Sequence, residues 1–502
     1  MRVMLVYPPY MRLAGFFNNF YPLGLGYLAS SLLESGHEVL LCNLELSSLP
    51  FPFESERFSS HPKYLEGCRN PDHPAWRDLR EELRRFQPDL VGISVTTTTY
   101  RSAVSASKVC KSEMPSVKVI WGGPHTTSVP RDVLREVEEV DMAVVGEGEE
   151  TMSELCAALE SGRDPSDVPG VWTRDGSGCK AGRLRPLIEN LDQLPMPMRE
   201  RENLSFARLY DNNTMGVVAT SRGCPFDCAF CASRATWGKR VRWRSADNVM
   251  AELHELASKH SVRYVEFTDD SFTARHSYAR EIAGRIPGEE VPIKWSCGTR
   301  ADLITEDLVR DMCEGGCELV YIGVESGSER VLESVGKRAT VEAIKKGIGI
   351  VDSARLRRCL FFMMGLPDET LEDLEMTRDL MRELGGQIVL SVFSPYPNTK
   401  LFERCRELGI LPSNPDWSAY SSVSIDPYFA PKIPPEDFER VAHEMIEMSE
   451  TGYIRSGVDT LILKKVRSNL LYYLRHPIYA IRNIWSSRRF ILAAIRGGFA
   501  RH

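Results

Sequence analysis

Five short apolar runs, RVMLVYPP, HEVLLCNLE, PDLVGISVTTTT, VKVIWGGPH and DMAVVGEGE, recur through the first 160 residues, with helix-periodic amphipathic stretches between them. Runs of this length bounded by Gly and Pro have the pattern of buried strands. Strands alternating with helices build a parallel sheet, so residues 1–160 are expected to form a doubly wound α/β domain with Gly- and Pro-rich ligand loops at its strand ends. One longer insertion, around FPFESERFSSHPKYLEG, interrupts the alternation. Within this region PLGLGYLA places Gly24, Gly26 and Ala29 in the spacing GxGxxA, with Glu45 about 20 residues further on. A dinucleotide site needs those glycines in the turn directly after the first strand, and YPPYMRLAGFFNNFY intervenes, so the match is set aside.

A second alternation starts after the apolar segment MGVVAT. Strand-like runs at 264–270, 293–302, 319–327, 358–370 and 388–397 are separated by helical patterns such as ADNVMAELHELASKH and TVEAIKKGIGIVDSA. Repeated βα units over residues 209–426 predict a parallel barrel or an open sheet, with its site at the strand C-termini. The polar residues falling there are Asp269 and Asp270, then Arg300, then Glu325 and Ser326. Between the two alternations, residues 161–208 carry a turn signal at Asp175-Gly176-Ser177-Gly178 and a Pro-punctuated exit, and read as a small hairpin and linker. After about Pro427 the chain turns helical, giving an extension over 427–502.

Composition narrows the chemistry. The chain has 502 residues, 43% hydrophobic and 26% charged, which suits two or three globular domains. A net charge of -7 provides no global basic field, so no nucleic-acid partner is expected. The opening MRVMLVYPPY is cut short by Pro8 and Pro9, and no stretch reaches the roughly 18 apolar residues of a membrane span, so a cytoplasmic location is expected. Thiols stay reduced there, so clustered members of the 13 cysteines call for metal or catalysis.

Such a cluster stands in SRGCPFDCAFCAS, where Cys224, Cys228 and Cys231 form CxxxCxxC in a loop bounded by Gly223 and Pro225. A structural zinc site requires four ligands, and nothing near Cys231 supplies the fourth. Three thiolates on one loop suit a cubane iron-sulfur cluster with one iron left open. Cys313 and Cys317 also form CxxxC, but Gly315-Gly316 between them read as a helix stop, which argues against a second cluster.

CxxxCxxC after a strand, with Phe230 just before the third cysteine, resembles the signature of radical S-adenosylmethionine (SAM) enzymes. The resemblance implies a partial (β/α)6 barrel, a 4Fe-4S cluster on the three cysteines, and SAM chelated to the open iron and reductively cleaved to a 5'-deoxyadenosyl radical. It also implies SAM contacts from Phe230, an amine site at Asp269 and Asp270, a carboxylate site at Arg300 and ribose contacts from Glu325 and Ser326. One departure is that FTDDSF stands in place of the Gly-Gly-Glu common in the wider family.

The segments YPLGLGYLASSLLESGHEV, GGPHTT and VVGEGEET resemble the cobalamin-binding domain fused in front of many radical SAM enzymes. That likeness implies cobalamin cradled by four loops: Tyr7, Pro8 and Pro9; Ser94, Val95, Thr96 and Thr97; Gly122, Gly123 and His125; and Gly146, Glu147, Gly148 and Glu149. The DxHxxG motif that supplies a lower axial histidine in many cobalamin proteins is missing, and His125 reads equally as a contact or as a surface residue.

Together the two halves resemble cobalamin-dependent radical SAM methyltransferases. These imply a C-methyltransferase acting on an unactivated carbon, or on phosphorus: one SAM methylates cob(I)alamin, and a second yields the radical. Anaerobic radical cyclisation or rearrangement is the alternative within this architecture. A cobalamin-binding sensor without catalysis would have no use for CxxxCxxC. The resemblance further implies a low-potential electron donor of flavodoxin or ferredoxin type and a small-molecule or lipid-like substrate. The tail 460–502 carries Lys and Arg among Trp, Tyr, Leu and Ile but no acid. It suits either helices capping the barrel or peripheral contact with the inner face of a membrane.

Overall fold

A computed structural model of the chain describes residues 1–455 apart from 17–18, 47–57, 59, 177 and 289–292. The basic tail 460–502 and the first part of the predicted insertion lie outside the described residues.

The N-terminal sheet contains β1 (Arg2–Tyr7), β2 (Glu38–Asn43), β3 (Leu90–Ser94), β4 (Lys118–Gly122), β5 (Met142–Val144), β6 (Val171–Asp175) and β7 (Gly178–Lys180). Their order is β2-β1-β3-β4-β5-β6-β7, parallel through β5. Val3, Met4, Leu5 and Val6 of β1 are all buried, because helices cover both faces of the sheet. The order reverses between β1 and β3, which opens a crevice beyond their C-termini. The GxGxxA residues lie inside the helix Leu23–Glu34, where the Tyr21 ring packs into the space that a side chain at Gly26 would need. Glu45 is buried and accepts the backbone N–H groups of Tyr10, Met11 and Arg12, a structural role in this fold.

The hairpin expected within 161–208 is β6–β7, and it adds two antiparallel strands to the open edge of β5, with Val144 opposite Val171. An unpaired edge presents a row of backbone donors and acceptors, and this hairpin covers it.

The second sheet is all parallel, in the order β15-β14-β13-β12-β11-β8. Its strands are β8 (Val217–Val218), β11 (Tyr264–Phe267), β12 (Lys294–Arg300), β13 (Cys317–Glu325), β14 (Arg357–Met364) and β15 (Gln387–Val392). Helices including Ala246–Ser258, Glu306–Glu314 and Leu371–Leu384 follow the strands, giving a six-stranded partial barrel. Capping by Ser245, Thr305 and Thr370 starts these three helices. The helix Pro435–Arg455 packs against β15. No helix among the described residues is long and apolar enough to cross a membrane.

Between β8 and β11 a two-stranded antiparallel element, β9 (Ser221–Arg222) with β10 (Arg242–Trp243), brackets the cysteine loop. Its arginines join the two domains. Arg222 donates to Glu147 and Glu149 at 2.6 Å each, and Arg242 donates to Glu147 at 2.8 Å and to the Ile188 carbonyl at 2.6 Å. All four side chains are nearly withdrawn from solvent. Burial alone would raise the Glu147 pKa, but the two guanidiniums outweigh it and hold the carboxyl below its usual range.

Glu147→Ala leaves buried Arg242 without its counter-charge and Arg222 with Glu149 alone, and the expected loss is about 3–5 kcal/mol, read as a lowered urea midpoint. Because the folded-state pKa is depressed, the Glu147 contribution is complete above the ordinary glutamate pKa of about 4.3. It is lost as pH falls through the lower folded value. Stability measured against pH should therefore fall less steeply on acidification in Glu147→Gln than in the parent protein.

Candidate functional site

The cysteine loop hangs from the end of β9. Gly223 begins it at φ +101°, and a Cβ there would lie 2.8 Å from the Arg240 carbonyl oxygen, so the turn requires glycine. Two backbone hydrogen bonds then pin the loop to the barrel. The Ala229 N–H donates to Val335 O at 2.8 Å, and Ala229 O accepts the Leu401 N–H at 3.0 Å. Asp227 adds ion pairs with Arg234 and with Lys400.

Cys224, Cys228 and Cys231 are all part-buried free thiols. Burial raises the pKa of each, that of Cys231 to about 12, with the Asp270 charge adding to the effect at Cys224 and Cys231. Among the described residues no three Cys, His, Asp or Glu side chains converge on a single ion. Three thiols spread over one short loop, with cations on one flank and polar groups on the other, form a donor set that fits a multi-iron cluster.

The cations are Arg300 and Lys337. Arg300, at the end of β12, stacks over the Phe226 ring at 4.0 Å, donates to Asp302 and to Lys337 O, and brings Nη1 to 3.8 Å from Cys228 Sγ. Lys337 is buried and donates to Glu325 at 2.9 Å and to Gly323 O at 2.9 Å. Glu325 takes φ +70° where the β13–β14 register shifts, which turns its side chain to this lysine. On the other flank the Ser233 hydroxyl donates to Asp270 at 2.6 Å, while its N–H approaches Cys231 Sγ at 3.4 Å. Phe230 is part-buried and packs against the apolar cluster beneath the loop. Lys337 and Phe226 were not singled out from sequence. Lys337 lies in VGKRAT, a turn with Gly336 and Arg338 at positive φ but no motif to mark it.

Two of the expected SAM contacts are engaged elsewhere. Asp269 is fully enclosed and accepts the Thr220 N–H at 3.1 Å, the Thr220 hydroxyl at 2.8 Å and the Ser221 hydroxyl. Its burial raises the pKa, and those donors offset part of the rise. It clamps the chain where β8 passes into the cysteine loop. Ser326 is buried, bonded to Thr377 at 2.9 Å and accepting the Ser328 N–H at 3.1 Å, and so shapes the loop after β13.

At the N-terminal sheet, Tyr7 and Ser94 stand at the ends of β1 and β3, on the switch-point crevice. They line a cavity of about 360 Å³ with Phe20, Gly24 and, from the barrel, Val217, Glu266 and Thr268. Gly24 and Gly146 each face open space where a Cβ would sit, and the cavity joins both domains. A crevice open at glycines and walled by Tyr7 and Ser94 is compatible with a bulky cofactor.

The other residues of the four loops divide into backbone shapers and buried groups. Pro8 and Pro9 are buried, Thr96 bonds Thr99, Gly123 is needed because a Cβ would meet Val95 backbone atoms at 2.9 Å, and Gly148 abuts Leu28. Val95 is wholly buried and exchanges backbone hydrogen bonds with Gly122 and His125. Glu147 and Glu149 face Arg222 and Arg242, in the domain junction. His125 is 1% exposed, which removes the surface reading. It is bonded to Thr97 at 3.1 Å and enclosed by the rings of Tyr100 and Trp417, and this burial pushes its pKa down to about 3.

Comparison with known proteins agrees with this geometry. Residues 218–381 match the radical SAM superfamily and residues 12–156 the B12 binding domain. An uncharacterized methyltransferase of Pyrococcus horikoshii is 31% identical over 99% of this chain and 98% of its own length. The anaerobic magnesium-protoporphyrin IX monomethyl ester cyclase of Rubrivivax gelatinosus is 26% identical over 77% of this chain and 69% of its own. The radical SAM methyltransferase TsrM of Kitasatospora setae, solved with cobalamin and a 4Fe-4S cluster, superposes with a TM-score of 0.61 at 19% identity. The match covers 80% of this chain and 78% of that one. A three-thiol loop on a parallel partial barrel, joined to a doubly wound B12-binding domain, thus places the chain in the family of radical SAM enzymes that carry a B12-binding domain.

Proposed function

We propose that this protein is a cobalamin-dependent radical SAM methyltransferase that alkylates an unactivated carbon. The observation carrying this reading is the shared cavity: the switch-point crevice of the B12-binding domain and the lumen of the barrel open on the same space. A substrate there would lie between the B12-binding crevice and the strands β8 and β11 that flank the cysteine loop.

When bound, a 4Fe-4S cluster supplies the electron that cleaves SAM, and cobalamin supplies a carrier for a methyl group. The chain's own residues hold and bias these groups. Cys224, Cys228 and Cys231 ligate the cluster. Arg300 and Lys337 set positive charge beside Cys228, which favours its thiolate and opposes the rise due to burial. Asp270 and Glu325 offer acceptors to the SAM amine and ribose, and Arg300 Nη1, turned to the cysteine loop, is the donor for its carboxylate. Tyr7 and Ser94 bound the cobalamin face of the cavity. Asp269 and Ser326 act through the loops they brace. A low-potential flavodoxin or ferredoxin would serve as reductant.

The likeness to the Rubrivivax cyclase supports a second reading, ring closure. Product analysis separates the two. Protein reconstituted anaerobically with iron, sulfide and hydroxocobalamin, then given SAM and a strong reductant, should release S-adenosylhomocysteine only when cobalamin is present, together with 5'-deoxyadenosine. Deoxyadenosine without S-adenosylhomocysteine would favour cyclisation, and no SAM turnover would contradict both. Cys224→Ala, Cys228→Ala and Cys231→Ala should each lower bound iron from about four per chain to near zero.

Lys337→Met removes the cation shared by Glu325 and the cysteine loop. SAM affinity measured by equilibrium dialysis should fall about tenfold, or about 1.4 kcal/mol, with iron content retained. Unchanged affinity would reduce the Lys337–Glu325 pair to a structural brace.

A further inference from the structure

Glu266 is the carboxylate that the cofactor chemistry leaves unused. It projects from β11 into the barrel, on the same side as Tyr264 and Thr268, and lines the cavity shared by the two domains. Among the described residues it has no hydrogen bond or ion pair from its side chain, although nearly every other acid near the site is bonded to an arginine, a lysine or a hydroxyl. Its charge reaches the phenols of Tyr264 and Tyr321, and no basic side chain lines the cavity with it. The opposite wall is aromatic and apolar: Tyr7 and Phe20, in edge contact at 4.9 Å, with Pro22, Leu23 and Leu25.

The Glu266 carboxylate is solvent-accessible, although the protein around it raises its pKa by desolvation, and a cationic ligand entering the cavity would supply the counter-charge it lacks. The Tyr7 and Phe20 rings in the same lining would add attraction for a cation placed over either ring, since a ring's face is negative. Anionic ligands meet repulsion at the same point.

We infer that Glu266 is a specificity residue that receives a cationic nitrogen, a protonated amine on an otherwise apolar body, of the substrate held between the two cofactors. This deepens the methyltransferase reading and rests on it for the identity of the site. SAM also carries an amine, and the amide side chains of cobalamin are N–H donors, so the test separates these sources.

The experiment uses the reconstituted holoenzyme and three small probes: phenethylamine, neutral 2-phenylethanol and anionic 3-phenylpropionate. Binding is followed by ligand-observed NMR, and SAM and cobalamin affinities are measured in parallel. Phenethylamine should bind more tightly than either partner probe and lose about tenfold in affinity in Glu266→Gln, with Glu266→Asp retaining most of it. SAM and cobalamin affinities should stay at parental values in both variants. Equal binding of the three probes, binding of none, or insensitivity to Glu266→Gln would overturn the inference. So would a matching loss of SAM or cobalamin affinity, which would make Glu266 a cofactor contact. The result also stands apart from the methyltransferase reading: amine selectivity without cobalamin-dependent S-adenosylhomocysteine release would overturn that reading and leave the cation site intact.

Discussion

The buried charge cluster at the domain junction is the constraint on which the site depends. Glu147 and Glu149, on the loop after β5, hold Arg222 and Arg242 of the small β9–β10 element, and Arg222 stands two residues before Cys224. The same carboxylates that end the fifth strand of the B12-binding domain therefore fix where the cysteine loop begins. Ion pairs this enclosed have a large desolvation cost and add little net stability over an apolar contact. What they supply is position: a slipped interface would strand at least two charges in a dry environment.

A second set of polar contacts extends that placement into the barrel. Asp269 gathers the Thr220 and Ser221 donors at the exit of β8, and Arg199 and Arg244 share Glu252 behind it, all three nearly inaccessible. Downstream, Val335 and Leu401 tie the middle of the cysteine loop to two further segments. The loop is thereby held at its start, centre and flank by elements distant in sequence. The groups left facing the thiols are few, chiefly Arg300, Lys337, Glu325 and Asp270.

The parallel strands were legible in the sequence because they write apolar runs, continuous where both faces are buried, as from Val3 to Val6, and alternating in burial where one face lines the barrel, as from Val320 to Val324. The cysteines were legible because their chemistry is local to one loop. Side-chain partnership across domains was not. VVGEGEE reads as a ligand loop by its glycines, yet its acids answer to arginines some 75 to 95 positions away. Asp269 and Asp270 are neighbours that point to opposite sides of the chain, and only the register of β11 shows which of them is enclosed and which reaches Ser233. The turn at 175–178 was evident, whereas its docking on the β5 edge depended on an edge that no local pattern reveals. His125 follows the same logic, since Trp417 closes over it from the far end of the barrel.

The central claim is that one chain holds both cofactor sites in a fixed register around a single cavity. Electron paramagnetic resonance of protein loaded with cob(II)alamin and a reduced 4Fe-4S cluster measures this most directly, because two nearby unpaired spins split or broaden each other's signals. The account predicts dipolar interaction between the two centres in the parent protein and its loss or dispersion in Glu147→Ala. Two unperturbed, independent signals from parent protein carrying both centres would contradict it.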